Sequence, residues 1–412
     1  MSLLEDYAAV VGSDVIEQLR QLTAPLKGMK IVHVNSTRLG GGVAEILSKM
    51  VPLTRELGLE THWEVITGDG DFYGCTKSMH NGLQGATVQL SDQQISAYRA
   101  TNAANAERLR TLLADADVVF IHDPQPALLL SHVPERRGKW VWRCHIDASR
   151  PHRAVWNFLR PIVGEYDTSV FSLASFAHTL PHRQYLIPPS IDPLAEKNIA
   201  LDDAEIDRTC GSLGIDRNRP LLTQVSRFDR FKDPLGVIHA HRLIKPYVPG
   251  IQLVLAGGGA ADDPEGDAVL QEVRSARGDD PDVHVLLLPA DSHRTINALQ
   301  HASTIVLQKS LREGFGLTVT EALWKGRPVI GGDVGGIRLQ VINYQTGFLV
   351  NTPEGAALRI RYLLREPARI EEMGRKGQEL VRENFLITRH LREYLTLAVA
   401  MHRGFADRIE LS

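Results

Sequence analysis

At 412 residues the chain exceeds what one compact core accommodates, so two or three domains are expected. Its 43% hydrophobic and 23% charged residues are those of an ordinary soluble globular protein. The formal net charge of −3 argues against non-specific binding to nucleic acid or to an anionic membrane, so any anionic ligand must be met by local positive charge.

Cys75, Cys144 and Cys210 stand far apart and form no CxxC pair, which argues against a disulfide framework or a cysteine zinc site. The opening Met1-Ser-Leu-Leu-Glu-Asp6 has acids and no basic n-region, so it does not read as a signal peptide. No apolar run reaches the roughly 20 residues of a membrane helix, and a cytoplasmic setting is expected.

In chain order, short apolar runs alternate with helical patterns. Ile31–Asn35, Trp63–Thr67, Val118–His122, Trp140–Ile146 and Ser169–Leu173 read as strands of a first half. Leu221–Ser226, Ile251–Ala256, Val283–Leu288, Thr304–Leu307 and Pro328–Ile330 read as strands of a second. Helices are expected near 43–57, 102–114, 234–244, 294–300 and 317–325. Nearly continuous apolar strands suit parallel sheets covered on both faces. The repeated βα order predicts two doubly wound units. Residues 1–188 form the first expected domain and 189–386 the second, with the boundary in Leu186-Ile-Pro-Pro-Ser-Ile-Asp-Pro193, where the prolines fit neither a sheet interior nor a helix. A last helix from about 387, within 387–412, is expected to cross back to the first domain.

Open α/β sheets bind ligands beyond the carboxyl ends of their strands. Functional residues are therefore sought just after strands. Gly40-Gly41-Gly42 follows the first strand and precedes a helix, where a backbone without Cβ atoms can approach a phosphate or sugar. A plain turn explains it as well. Lys77, His80, Asn81 and Gln84 read as a polar loop that either meets a hydroxyl-rich ligand or caps local structure. His145 and Asp147 end a strand, where a turn with satisfied side chains is the plain alternative.

Ser226-Arg-Phe-Asp-Arg-Phe-Lys-Asp233 follows the first strand of the second half. Arg227 and Lys232 can reach a diphosphate, or the run is a solvated charged loop. Asp291–Asn297, ending on Asn297, is a candidate nucleobase site. In Glu313-Gly-Phe-Gly-Leu-Thr-Val-Thr-Glu321, Gly316 precedes a helix start at which the amides of Leu317 and Thr318 offer an anion site. Glu313 and Glu321 flank it, suited to sugar and ribose hydroxyls. The plain alternative is that Glu321 merely favours the helix dipole.

The SRFDRFKD segment and the two glutamates resemble the donor site of retaining GT-B glycosyltransferases. The segments His33–Leu47, Thr76–Gly85, Trp142–Asp147 and Gln308–Val319 narrow this resemblance to the nucleotide-sugar-dependent trehalose synthases, over nearly the full length. The resemblance implies a GT-B fold of two Rossmann-like domains facing a central cleft. It implies that Arg227 and Lys232 neutralise the donor diphosphate, that Glu313 binds the transferred sugar and Glu321 the ribose, and that His145 contacts the donor sugar. Gly41, Gly42, Gly316, Leu317, Thr318 and Asn297 complete the expected donor site. Asp147, Lys77, His80, Asn81 and Gln84 make up the acceptor site.

The implied reaction joins an NDP-α-glucose (UDP-, ADP- or GDP-glucose) to free glucose, giving α,α-trehalose and NDP by a front-face route. No cofactor is required, and Mg²⁺ enters only as a companion of the nucleotide. Asp69-Gly-Asp71 matches a metal-binding DxD, but Asp115-Ala-Asp117 and Asp280-Pro-Asp282 match it too, so the pattern carries little. A homodimer is the assembly considered. The rival readings are a trehalose phosphorylase, another retaining transferase with a different acceptor, and a non-catalytic nucleotide-sugar-binding module. A nicotinamide dehydrogenase is disfavoured, since no GxGxxG follows the first strand.

Overall fold

The computed structural model describes residues 2–38, 41–258, 264–289 and 291–404. Gly40 of the glycine run and the end of the chain beyond 404 lie outside the described residues.

Contacts divide the chain into two compact units, one running to Pro189 and resuming at Ile387, the other spanning Ser190–Leu386. The first holds six parallel strands: β1 (Lys30–Asn35), β2 (Glu60–Val65), β3 (Val118–His122), β4 (Lys139–Cys144), β5 (Thr168–Phe171) and β6 (Arg183–Leu186). They lie in the order β2-β1-β3-β4-β5-β6. The second holds β7 (Leu221–Val225), β8 (Gln252–Gly257), β9 (Val283–Leu287), β10 (Ile305–Gln308), β11 (Val329–Gly332) and β12 (Gly347–Val350), in the order β12-β11-β10-β7-β8-β9.

Both orders reverse direction once. The reversal lies between β1 and β3 in the first sheet and between β7 and β10 in the second. At such a switch point the connections leave to opposite sides and open a crevice at the strand ends.

Two short edge strands, β6 and β12, stand outside the expected set. β6 is an edge strand reading Arg-Gln-Tyr-Leu. β12, also at an edge, begins at Gly347, which packs so closely on β11 that a Cβ there would lie 1.8 Å from the Val329 carbonyl oxygen. β2 starts three residues before the expected Trp63, because its first residues, Glu60-Thr-His, are polar at an edge.

One face of the first sheet is apolar. Val32, Val34, Val119, Ile121, Trp140 and Trp142 are all buried in one hydrophobic cluster. Alternation along a strand sends their neighbours to the opposite face, and there β1, β3 and β4 carry His33, Phe120, His122 and Arg143. The helix Ile387–His402 covers that face. Its Tyr394 ring lies 5.0 Å from Phe120, and its Arg389 and His390 hydrogen-bond to the carbonyls of Pro188 and Pro189. The prolines lack N–H groups, so these carbonyls are what the linker can offer to fix its course. No helix among the described residues is long and apolar enough to cross a membrane.

Candidate active site

In the second unit the segment after β7 and the loop after β10 are laced together. Gln224 on β7 donates through Nε2 to the Lys232 carbonyl at 2.7 Å, and Leu311 N–H donates to the Phe231 carbonyl at 2.7 Å. Lys232 Nζ thereby lies 2.6 Å from Glu313 Oε2. Ser310 Oγ donates to the same oxygen at 3.2 Å. The two side chains are only 18% and 10% exposed, so the ion pair is shielded from bulk water without being cut off from it. A partly buried pair of this kind is screened little by salt.

The loop carrying Glu313 is braced from behind. Gly316 has φ +83° and is the N-cap of the eight-residue helix Leu317–Trp324. A side chain there would be strained by that φ and would also crowd Glu313, whose Cγ lies 3.2 Å from the Cβ position. Gly335 allows a closer approach still, since its Cβ would fall 1.7 Å from the Glu313 carbonyl oxygen. Gln340 donates to the Phe315 carbonyl at 2.7 Å and accepts from Thr320 Oγ1 at 2.5 Å. The helix start therefore has a fixed place beside Glu313, and an N-terminus with unpaired amides attracts anions. Thr318 Oγ1 donates to Gln308 Oε1 at 3.3 Å.

Other expected donor residues are placed differently. The Arg227 guanidinium is 66% exposed and 3.8 Å from Asp229. Glu321 is buried, and its Oε1 lies 2.8 Å from Lys197 Nζ. One turn further on, the Lys325 ammonium is also buried and lies 3.3 Å from both the Asn198 side-chain oxygen and the Glu321 carbonyl. Burial lowers its pKa to about 7, against the attraction of Glu321.

Neither lysine stands out in the sequence. Lys197 follows the linker, more than a hundred residues from its partner, and no local pattern marks it. Lys309 is likewise a buried cation, paired with Asp233, whose side chain caps the helix Pro234–Ile244 by accepting from Gly236 N–H at 3.1 Å.

Asn297 lies inside the second unit. It is fully buried in the helix His293–Ala302, and its Nδ2 donates to the carbonyls of Glu196 and Ile199 at 2.8 and 2.9 Å. It clamps the segment after the linker.

The residues expected to meet the acceptor also differ from expectation. Lys77, His80 and Asn81 lie on the helix Gly70–Leu83, and Gln84 is its C-cap, so they are not a loop. Asp69 caps the helix by accepting from Phe72 N–H at 2.9 Å, which accounts for the first half of its DxD run. The spacing 77, 80, 81, 84 is that of one helix face. Phe72, Cys75, Met79 and Leu83 are buried on the other. The remaining DxD runs also serve structure: Asp117 accepts from Lys30 N–H at 2.8 Å, and Asp280 and Asp282 pair with Lys245.

At the switch point of the first sheet, Gly41 has φ +81° and is the N-cap of the helix that starts at Gly42. The carboxyl ends of β3 and β4 bring His122 and His145 together. His145 Nε2 lies 2.9 Å from His122 Nδ1, and the rings stack with centroids 5.2 Å apart. Asp123, at φ +65°, accepts from the His145 backbone N–H through Oδ1 at 2.7 Å, and burial pushes its carboxyl up to about 6. Burial holds both imidazoles well below their usual pKa, with Arg143 adding to the effect. Asp147 Oδ1 accepts from Ser149 N–H at 2.9 Å, closing a local turn.

A family model described as "Trehalose synthase, N-terminal domain" matches residues 33–178, and one described as "Glycosyl transferases group 1" matches 206–380. The chain is 45% identical over 398 residues to a trehalose synthase from Pyrococcus horikoshii, covering 96% of this chain and 95% of that protein. The chain belongs to the trehalose synthase family. A trehalose synthase from Thermococcus litoralis is 44% identical over 398 residues, with 96% of each covered. Among solved structures, the α,α-trehalose-phosphate synthase (UDP-forming) from Burkholderia xenovorans, in complex with glucose-6-phosphate, matches at a TM-score of 0.73 and 15% identity, over 90% of this chain and all of that one. As a member of the trehalose synthase family the chain has the GT-B fold, in two Rossmann-like units, and is a glycosyltransferase acting on trehalose.

Proposed function

We propose that this enzyme transfers glucose from an NDP-α-glucose to the C1 hydroxyl of free α-glucose, releasing NDP and forming α,α-trehalose with retention at the donor carbon. The observation that carries the reading is the Lys232–Glu313 pair at the switch point of the second sheet, beside the start of the helix Leu317–Trp324. An ammonium and helix amides suit a diphosphate, and a carboxylate suits sugar hydroxyls. The full-length similarity to trehalose synthases supports the choice of product.

In this reading the bond between the donor C1 and the β-phosphate oxygen breaks, leaving an oxocarbenium-like sugar. The acceptor O1 bonds to C1 from the face the phosphate is leaving, and its proton passes to a phosphate oxygen. Lys232, Arg227 and the amides of Leu317 and Thr318 stabilise the leaving charge. Glu313 and His145 orient the transferred sugar. Glu321, with Lys197, holds the ribose. Gly41 and Gly42 lie against the donor. Lys77, His80, Asn81, Gln84 and Asp147 supply acceptor contacts.

Glu313 is not cast as a covalent nucleophile. Its Oε2 is already occupied by an ammonium and a hydroxyl, and bound cations make a carboxylate a weaker nucleophile. The test is a screen of UDP-, ADP- and GDP-glucose against free glucose, glucose phosphates and fructose, with inorganic phosphate and trehalose as a separate arm. Turnover only with phosphate would favour a phosphorylase. Donor binding with no turnover on any acceptor would favour a binding module.

A further inference from the structure

The polar face of the first sheet contains a row of three imidazoles. His33 Nδ1 lies 3.1 Å from His122 Nε2, and His122 Nδ1 lies 2.9 Å from His145 Nε2. His33 and His122 are buried, and His145 is half-buried at the end of the row. His33 stacks on Phe120 at 4.9 Å, and Tyr394 closes over both, which leaves the first ring little freedom to turn. Arg143 lies beside the row, tied to the Ile187 carbonyl at 2.7 Å and to Ser172 Oγ at 3.2 Å.

A neutral imidazole has one donor and one acceptor nitrogen. In a row of such rings every hydrogen bond must point the same way, because a central ring cannot donate from both nitrogens or accept at both. Burial disfavours a second proton on any of the rings, with the His33 imidazole lowered to about 3. If the bonds run toward His145, all three rings carry the proton on Nδ1. If they run toward His33, all three carry it on Nε2. The nitrogen of His145 outside the row is then a donor in the first case and an acceptor in the second.

We infer that His122 and His33 are positioning residues for the transfer reaction: together they fix the orientation and tautomer of His145, and so decide whether it donates to or accepts from a sugar hydroxyl. The inference rests on the reading that His145 contacts the transferred sugar. The role of a histidine's free nitrogen is set by the hydrogen bond that its other nitrogen makes.

The experiment compares His122→Phe, His122→Asn and His122→Gln in the full-length enzyme, with His145→Ala as a control. Phe keeps the ring shape and loses both hydrogen bonds. Asn places an amide where Nδ1 was and keeps the bond to His145. Gln places it where Nε2 was and keeps only the bond to His33. The Phe and Gln variants should lose kcat by about ten- to a hundredfold, the range seen when a histidine ligand loses its orienting partner, with NDP affinity unchanged. The Asn variant, which keeps the bond to His145 but loses the direction set through His33, should fall between the parent and the other two.

A merely structural role predicts the reverse order, with Phe best tolerated in a buried ring stack. That order, or equal activity of Phe and Asn, overturns the inference. If His145→Ala retains full kcat, the reading beneath it fails and the inference falls with it. If only His145→Ala loses turnover, the inference alone fails. The parent enzyme supplies a test that needs no variant to fold. Long-range ¹⁵N–¹H spectra of histidine-labelled protein should give the same tautomer for His33, His122 and His145, and a mixed pattern overturns the row.

Discussion

On β1, at the end of β3 and just past β4, three neutral imidazoles stand in a row beside the buried Arg143, whereas just past β7 and β10 the polar side chains form ion pairs: Lys232 with Glu313, and Lys309 with Asp233. Two parallel six-stranded sheets of different strand order thus carry two kinds of chemistry at their switch points. The difference follows from what each unit is proposed to hold. A diphosphate carries charge and is met by charge, near water and at a helix start. Sugar hydroxyls are neutral, and a neutral donor or acceptor of fixed direction recognises them without the cost of burying an ion. The first unit can bury His33 and His122 because neither needs to be charged.

The largest expected effect tests the charged half. Lys232→Ala removes an electrostatic stabiliser of the leaving group and should lower kcat by about 10²–10³ with the circular dichroism spectrum unchanged. Unchanged turnover at saturating donor would place the leaving-group charge elsewhere.

Glu321→Gln sharpens the same half. A carboxylate that accepts from ribose hydroxyls contributes about 1.5–3 kcal/mol, so NDP should bind about ten- to a hundredfold more weakly by calorimetry. Equal affinity would reduce Glu321 to the structural partner of Lys197. Asn297→Ala marks the boundary between site and scaffold. It leaves the Glu196 and Ile199 carbonyls without their donor, so the second unit should lose roughly 1–3 kcal/mol of stability. The donor KM should not change, and a shift in base preference would restore Asn297 to the site.

The neutral half has a pH signature. Burial holds His33, His122, His145 and His390 below their unfolded pKa. As pH falls through about 6.5, the unfolded chain takes up protons that the folded unit refuses. This stability is present above that pH and lost below it, by up to ~1.4 kcal/mol per pH unit for each ring. Asp123 acts in the opposite sense. Its carboxyl is raised to about 6, so its contribution grows as pH falls from about 6 toward the usual carboxylate range, and it offsets part of the loss. The melting temperature of the first unit, to which Trp140 and Trp142 report, should fall between pH 7 and 5, and His122→Phe should flatten that slope.

Much of this arrangement can be read from the sequence, and what cannot has physical causes. The central strands, the linker prolines and the Lys232, Glu313 and Gly316 cluster are local patterns: apolar runs, a proline run, and charges or glycines placed just after strands. The edge strands β2, β6 and β12 are polar or open with glycine, so the apolar criterion moves one and passes over the other two. The helix Gly70–Leu83 hides behind its glycines, although 77, 80, 81 and 84 already have helical spacing. Lys197 and Asn297 act across about a hundred residues, and only the folded chain brings them to their partners.

The histidine row was within reach. His33 in the middle of an apolar parallel strand, His122 at the end of another and His145 just beyond a third are polar residues where burial demands a partner. Treating the strands as uniformly apolar conceals that they share one face.

The central claim is that the charged half and the neutral half act on one reaction, glucose transfer to free glucose with retention. The ¹H NMR spectrum of the product from NDP-α-glucose and glucose tests it most directly. A single symmetric disaccharide with equivalent α anomeric protons, formed in step with NDP release, is the predicted result. An anomeric signal of a β linkage would contradict retention, and transfer only to glucose phosphates, fructose or a glucan would contradict the acceptor.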